Sequence, residues 1–167
     1  MQLQGSNHAD KKEKYAYLYQ GLKSLLSSET DLIANLSNFC GALKQEFNWW
    51  WIGFYFVKNN QLVLGPYQGP VACTRINFGK GVCGTAWQNK APIVVPNVHL
   101  FPGHIACSDA SKSEIVLPVF FEDEVVAVLD IDSDQFDDFN EDDLIGLQNL
   151  LKLLPLNKQA INFYSQI

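Results

Sequence analysis

EIVLPVFFEDEVVAVLDIDS, residues 114–133, contains two runs rich in β-branched and apolar residues, separated by the polar turn at residues 122–124. This pattern predicts an antiparallel β-hairpin. Successive side chains of a strand point to opposite faces, so residues of one parity share a face. One face of the second strand is entirely apolar: Val125, Ala127, Leu129 and Ile131. The other face therefore carries the carboxylates of Asp130 and Asp132.

An aromatic strand upstream supplies a second face of the same kind. WWWIGFYFVKNNQLVLG, residues 49–65, predicts a strand, a turn at the asparagines and a second short strand. The alternation places Trp51 and Tyr55 on one side and Ile52, Phe54 and Phe56 on the other. Glu114 begins its own strand on the side of Val116 and Pro118. We expect one sheet face to collect two aromatic side chains and three carboxylates.

Helical patterns flank these strands. Apolar residues recur at helical spacing from Tyr15 to Leu26 and again from Leu32 to Phe47, and Asn140 is placed to cap a closing helix. Two helices, several strands and a final helix indicate an α+β fold, with a mostly antiparallel central sheet. We expect the N- and C-terminal helices on one sheet face and a pocket roofed by loops on the other. Residues 1–14 are expected to form a polar, flexible terminus and residues 15–167 a single domain.

Charge and composition exclude several classes of partner. The formal net charge is −6, and residues 113–151 contain twelve acidic residues and no Lys or Arg. A nucleic-acid partner is therefore not expected. The first 14 residues lack the apolar run of a secretory signal, and no later stretch has the length of a membrane span. We expect a cytoplasmic protein without membrane contact.

Three of the four cysteines lie in glycine-, proline- and serine-rich sequence: Cys73, Cys83 and Cys107. The fourth, Cys40, lies on the apolar stripe of the second helix, where cysteine usually acts as a small hydrophobe. Four cysteines are too few for a disulfide scaffold, so any disulfide should be transient. Cys83 follows Gly81 at a predicted helix N-terminus, where peptide dipoles should lower its thiol pKa.

The predicted pocket combines aromatic walls, carboxylates and a cysteine-bearing loop. Such a site suits a small ligand with an ammonium group and an apolar part, and a free amino acid meets both conditions. The glycine-rich turn at residues 79–84 is a candidate for binding the ligand's carboxylate through backbone amides.

Across residues 49–154 the sequence resembles the free methionine-(R)-sulfoxide reductases, which are stand-alone GAF-domain enzymes. The segments that carry the resemblance occur in order: WWWIGFYF, LGPYQGPVACTRI, GKGVCGTAW, VPNVHLFPGHIACSDASKSEIVLPV and VLDIDS. The resemblance implies a GAF fold and reduction of free L-methionine-(R)-sulfoxide to methionine. It also implies an intramolecular disulfide that thioredoxin reduces.

The resemblance implies catalytic roles for the three loop cysteines. Cys107 matches the nucleophile, which attacks the sulfoxide sulfur and becomes a sulfenic acid. Cys73 is the first choice for the resolving thiol, and Cys83 remains an alternative. The residues that match the family's substrate site are Trp51, Tyr55, Glu114, Asp130 and Asp132. The division between ammonium binding and proton donation among the three carboxyl groups stays open.

Other functions explain fewer of these residues. A small-molecule-sensing GAF module without catalysis is the main alternative, but a bilin-attachment cysteine would leave two loop thiols without a role. A metal site at His99, His104 and Cys107 matches no strong zinc spacing, so we expect no metal and no cofactor. A purely structural role leaves the loop cysteines and strand carboxylates unexplained. A homodimer through the terminal helices is compatible with the sequence.

Overall fold

The computed structural model describes residues 5, 6, 8–105 and 110–157. Its elements, in chain order, are α1 Lys11–Ser27, α2 Leu32–Phe47, β1 Trp51–Lys58, β2 Gln61–Gln68, β3 Arg75–Asn77, α3 Gly81–Asn89, β4 Ile93–Val95, a 3₁₀ turn Val98–Leu100, β5 Ser113–Phe121, β6 Glu124–Ser133 and α4 Glu141–Leu151. Among these described residues, no helix combines the length and the apolar character needed to cross a bilayer.

Side-chain caps set the starts of three helices. Asp10 accepts hydrogen bonds from the first turn of α1, so the helix begins at Lys11, four residues before the apolar stripe. Asp31 caps α2 in the same way. Asn140 caps α4 as predicted, and Asp143 completes a capping box by accepting from the Asn140 amide.

The six strands form one sheet in the order β3-β2-β1-β6-β5-β4, and every pair of neighbours is antiparallel. Strand β3 was not predicted, because its three residues form too short a run to show alternation. The strands nearest the centre, β1 and β6, come from distant parts of the chain. Their pairing brings the aromatic strand beside the carboxylate strand.

Each face of the sheet has its own hydrophobic core. Ile52, Phe54 and Leu129 pack against α1, α2 and α4, whereas Trp51, Tyr55 and Val128 belong to a cluster that includes residues of α3. The predicted separation of faces in β1 is confirmed. The two faces perform different tasks: one holds the helical layer, and the other forms the wall of a pocket.

The face predicted for Val125 is wrong. Val125 belongs to the α3-side cluster, whereas Ala127, Leu129 and Ile131 lie on the helical side as expected. The pairing of β5 with β6 shifts register between Val119 and Phe120, so that one extra residue enters β6. Such a bulge inverts the alternation beyond it.

Candidate active site

The three predicted carboxylates meet on one face of the sheet. In the strand register Asp132 lies opposite Glu114 of β5 and, on its other side, opposite Trp51 of β1. Asp130 lies one pleat further along β6, opposite Val116 and Gly53. Glu114 and Asp130 are buried, and Asp132 is half-buried.

These side chains form part of the lining of a single cavity. Its walls are Trp50, Trp51, Tyr55, Pro70, Val71, Ala72, Ile76, Lys80, Gly81, Val82, Cys83, His104, Ile105, Ser111, Glu114, Asp130 and Asp132. The sheet supplies its floor, and the chain between β2 and α3 supplies much of its roof. All five predicted substrate-binding residues are in this lining.

The aromatic walls hold the loop that carries Cys73. The Trp51 indole N–H donates to the Pro70 carbonyl oxygen at 3.1 Å, and the Tyr55 hydroxyl donates to the Cys73 carbonyl oxygen at 3.0 Å. Gly53 makes room for the indole, since a Cβ there would lie 2.3 Å from the Trp51 ring. The pocket walls therefore fix the position of the Cys73 backbone.

The cysteines occupy distinct environments. Cys83 is a buried free thiol in the first turn of α3. Cys73 is half-buried and disulfide-bonded. Cys40 lies in the core on the helical side, as expected, where burial raises its thiol pKa. The predicted nucleophile, Cys107, lies outside the described residues.

Burial raises the pKa of all three carboxyl groups. Asp130 has a pKa raised to about 6, because desolvation outweighs its hydrogen bonds with Cys83 and Glu114. The pKa values of Glu114 and Asp132 are raised well above the ordinary range, by burial and then by the charge on Asp130. Burial and mutual repulsion therefore favour the protonated forms, so the cluster carries less negative charge than three ionised carboxylates would.

The expected lowering of the Cys83 pKa is wrong. Desolvation raises this pKa well above its usual value, and the negative charges of Asp130 and Glu114 raise it further. Burial and carboxylate charge outweigh the helix dipole, because the thiol is buried and hydrogen-bonded to Asp130. Cys83 is held as a thiol and not as a thiolate.

Of the two histidines considered from the sequence, only His104 lines the cavity. The His104 Nε2 atom lies 3.7 Å from the Glu114 Oε2 atom, and burial followed by the charge of His99 lowers the pKa of His104. His99 packs instead on Phe136, with ring centroids 6.1 Å apart. In the described part of the chain, the grouped metal-type ligands are Cys83, Glu114 and Asp130. The two histidines are not in that group.

Three of the polar cavity residues were not named individually in the sequence-based predictions. Trp50 lines the cavity. Its indole N–H is buried and has no hydrogen-bond partner among the described residues. Ser111 hydrogen-bonds Asp132, and Lys80 supplies an ammonium group at the start of α3. The triple tryptophan was a usable signal for Trp50. The roles of Ser111 and Lys80 depend on loop positions that alternation does not predict.

The comparisons with known proteins agree with this geometry. The family model described as "GAF domain" matches residues 29–154. The chain is 53% identical over 145 residues to GAF domain-containing protein A of Dictyostelium discoideum, covering 86% of this chain and 92% of that protein. It is 43% identical over 148 residues to the free methionine-R-sulfoxide reductase of Escherichia coli, covering 87% and 88%.

A solved structure extends the likeness to three dimensions. The X-ray structure of free methionine-R-sulfoxide reductase from Neisseria meningitidis in complex with its substrate superposes with a TM-score of 0.92 at 42% identity. The alignment covers 98% of this chain and 99% of that one. The α+β architecture derived above is thus the GAF fold. The chain belongs to the free methionine-R-sulfoxide reductase family of GAF-domain proteins.

Proposed function

We propose that this protein is an oxidoreductase that reduces free L-methionine-(R)-sulfoxide to L-methionine. The observation that carries the proposal is the buried group of Glu114, Asp130 and Asp132 in one cavity with Trp51 and Tyr55, beside the backbone of Cys73. The names of the E. coli and N. meningitidis relatives support the same substrate.

The pKa shifts of the carboxyl groups and their causes suggest how these groups divide their tasks. Asp130, with a pKa of about 6, is the group that holds the substrate ammonium as a carboxylate near neutral pH. Burial and the Asp130 charge favour the protonated form of Glu114, which suits it to donate a hydrogen bond and then a proton to the sulfoxide oxygen. Asp132 is half-buried and hydrogen-bonds Ser111; it completes the carboxyl cluster beside Glu114.

The remaining cavity atoms suit the other parts of the substrate. The Trp51 and Tyr55 rings lie 5.8 Å apart and offer apolar faces to the S-methyl group and side-chain carbons. The substrate carboxylate is assigned to the neighbouring wall, where Lys80 and the first amides of α3 border the cavity close to Asp130. A peptide-bound methionine sulfoxide would place neutral amide groups where this site binds the ammonium and carboxylate of a free amino acid, so it should be excluded.

The thiol chemistry is proposed in three balanced steps. The Cys107 thiolate attacks the sulfoxide sulfur while Glu114 protonates the oxygen, and methionine leaves as the cysteine becomes a sulfenic acid. The Cys73 thiol then attacks that sulfenic sulfur, forming a disulfide and releasing water. Thioredoxin returns both cysteines to thiols by exchange. The disulfide-bonded state of Cys73, beside the free thiol of Cys83, favours Cys73 as the resolving residue.

Thioredoxin recycling is consistent with a cytoplasmic location, where the reductant is available. We also propose a homodimer contact at the outer groove between α1 and α4, where Ile145 is exposed.

The test measures methionine release from the free R epimer, the free S epimer and a peptide-bound sulfoxide, with thioredoxin as reductant. We expect turnover of the free R epimer alone. Absence of turnover by fully reduced protein would contradict the proposal and favour a ligand-sensing GAF domain.

Cysteine variants test the order of the thiols. Cys107→Ser should abolish methionine release, and Cys73→Ser should release about one methionine per active site before stalling, because the disulfide step is lost. Cys40→Ala is the matched control and should turn over normally, since Cys40 lies in the opposite core. If Cys83→Ser stalls and Cys73→Ser does not, the resolving roles must be exchanged.

A further inference from the structure

The carboxylate side of the cavity also has the donor set of a metal site. One ligand atom from each of Cys83, Glu114 and Asp130 lies within 4.8 Å of the other two, and all three residues are buried. They come from three separate elements, α3, β5 and β6. We propose that these three side chains form a binding site for a divalent cation of borderline softness, of which Zn²⁺ is the representative.

Asp130 provides independent evidence for a cationic ligand. Only 7% of the residue is exposed, and its carboxyl group hydrogen-bonds Cys83 and Glu114. The Oδ1 atom is nevertheless buried without a hydrogen-bond partner among the described residues. A buried carboxylate oxygen without a partner costs free energy. A cation bound in the cavity would satisfy this oxygen.

The distances suit an ion of zinc's size. Zinc–oxygen bonds of about 2.0–2.2 Å and zinc–sulfur bonds of about 2.3 Å place tetrahedral ligand atoms about 3.3–3.6 Å apart. Small rotations of the three side chains would bring atoms that already lie within 4.8 Å to this separation. Three protein ligands leave one position for water or another small ligand.

The ligand types and the surrounding charge select the class of metal. A thiolate with two carboxylates suits Zn²⁺, whereas Mg²⁺ and Ca²⁺ prefer all-oxygen sites. Three carboxyl groups line the cavity, and Lys80 is its one lysine among the described residues. A divalent cation would offset the negative charge that Cys83, Glu114 and Asp130 acquire on losing their protons.

Metal binding here would compete with catalysis. The cation would occupy the place that the proposed function gives to the substrate ammonium, so the metal would act as a reversible inhibitor. This consequence rests on the proposed function. The metal site itself does not rest on the proposed function, so it can be tested by metal binding without any measurement of catalytic turnover.

The experiment uses full-length oxidised protein in thiol-free buffer, after its free thiols have been counted. Zn²⁺ affinity is measured by competition with a chromophoric chelator, and Co²⁺ serves as the spectroscopic probe for thiolate ligation. The wild type is compared with Cys83→Ser, Asp130→Asn and Cys40→Ala. Cys40→Ala is the matched control, because it removes the other described free thiol far from the cavity.

We expect one ion per chain and a thiolate-to-Co²⁺ charge-transfer band that persists in Cys40→Ala and disappears in Cys83→Ser. Loss of either tested ligand should weaken Zn²⁺ binding about 100-fold, because it removes one of only three protein ligands. Absence of the band from wild-type protein in excess Co²⁺ would overturn the site without any variant. Unchanged Zn²⁺ affinity in Cys83→Ser would overturn it as well.

Discussion

The buried carboxyl group of Asp130 costs stability when it ionises. Its pKa is raised by burial to about 6, above the ordinary value for an unfolded aspartate of about 3.9. The folded state thus prefers the protonated form, and this stabilising contribution is complete below about pH 4 and lost as the pH rises through about 6. At neutral pH the fold holds a buried charge that an unfolded chain would expose to water.

Asp130→Asn should therefore stabilise the protein at alkaline pH while it lowers activity. A raised pKa of this size corresponds to about 2–3 kcal/mol, so the free energy of unfolding should increase by about that amount at pH 8 and change little at pH 4. Denaturant unfolding at both pH values checks this. Asp134→Asn, at an exposed position of the same chain segment, is the control, and an equal gain at both pH values would contradict the assignment.

Glu114 should set the alkaline limit of activity. The proposed mechanism needs its proton, and its pKa is raised by burial and the Asp130 charge, so kcat/KM should decline above the pH at which Glu114 ionises. Glu114→Gln should reduce kcat about 10²–10⁴-fold and remove this decline, because an amide does not ionise. The pH–rate profile is the measurement. If Asp132→Asn removes the alkaline decline and Glu114→Gln retains it, the proton donor is Asp132.

Helix α3 can approach the sheet because of one glycine. A Cβ at Gly84 would lie 2.4 Å from the Asn77 carbonyl oxygen, which is backbone and cannot rotate away. The helix carries Cys83 and other residues of the cavity roof. The close contact therefore determines the position of one wall of the site.

Gly84→Ala should push α3 outward, at a cost of about 1–3 kcal/mol in the free energy of unfolding. KM should rise at the same time, because the roof moves. The matched control is Gly41→Ala in α2, where nothing lies within 4 Å of the added methyl group. This variant should increase the free energy of unfolding by about 0.5–1 kcal/mol. Urea unfolding of both variants tests the prediction, and a stabilised Gly84→Ala protein would refute it.

At the scale of the whole molecule, one face of the sheet packs against the helices and the other face forms the wall of the cavity. Leu129 and Val128 are adjacent in β6 and both fully buried, but they belong to the cores on opposite faces. Val128 lies opposite Tyr55 in the strand register. The same short segment therefore supports the helical layer with one residue and the pocket wall with the next.

Leu129→Ala should lower the free energy of unfolding by about 2–5 kcal/mol, while the folded fraction keeps its KM. Val128→Ala removes fewer carbons and should cost less stability, yet it should raise KM by loosening the packing of Tyr55. Denaturant unfolding combined with KM measurements distinguishes the two effects. The separation of faces would be contradicted if Leu129→Ala changed KM more than Val128→Ala.

Local sequence predicted the elements and most of their orientation. Alternation assigned Trp51 and Tyr55 to one face of β1 and Asp130 and Asp132 to one face of β6, and Asn140 marked where the closing helix begins. These properties depend on neighbours within a few positions along the chain. The quoted segments were also sufficient to indicate the family, which the comparisons confirm.

Tertiary structure decided the rest, because it depends on groups distant in sequence. The pairing of β1 with β6 placed Trp51 beside Asp132, and a bulge reversed the side of Val125. The local dipole argument for Cys83 failed because a pKa is set by all nearby charge and by burial. The carboxylates that raise this pKa belong to strands that only the folded chain brings against α3.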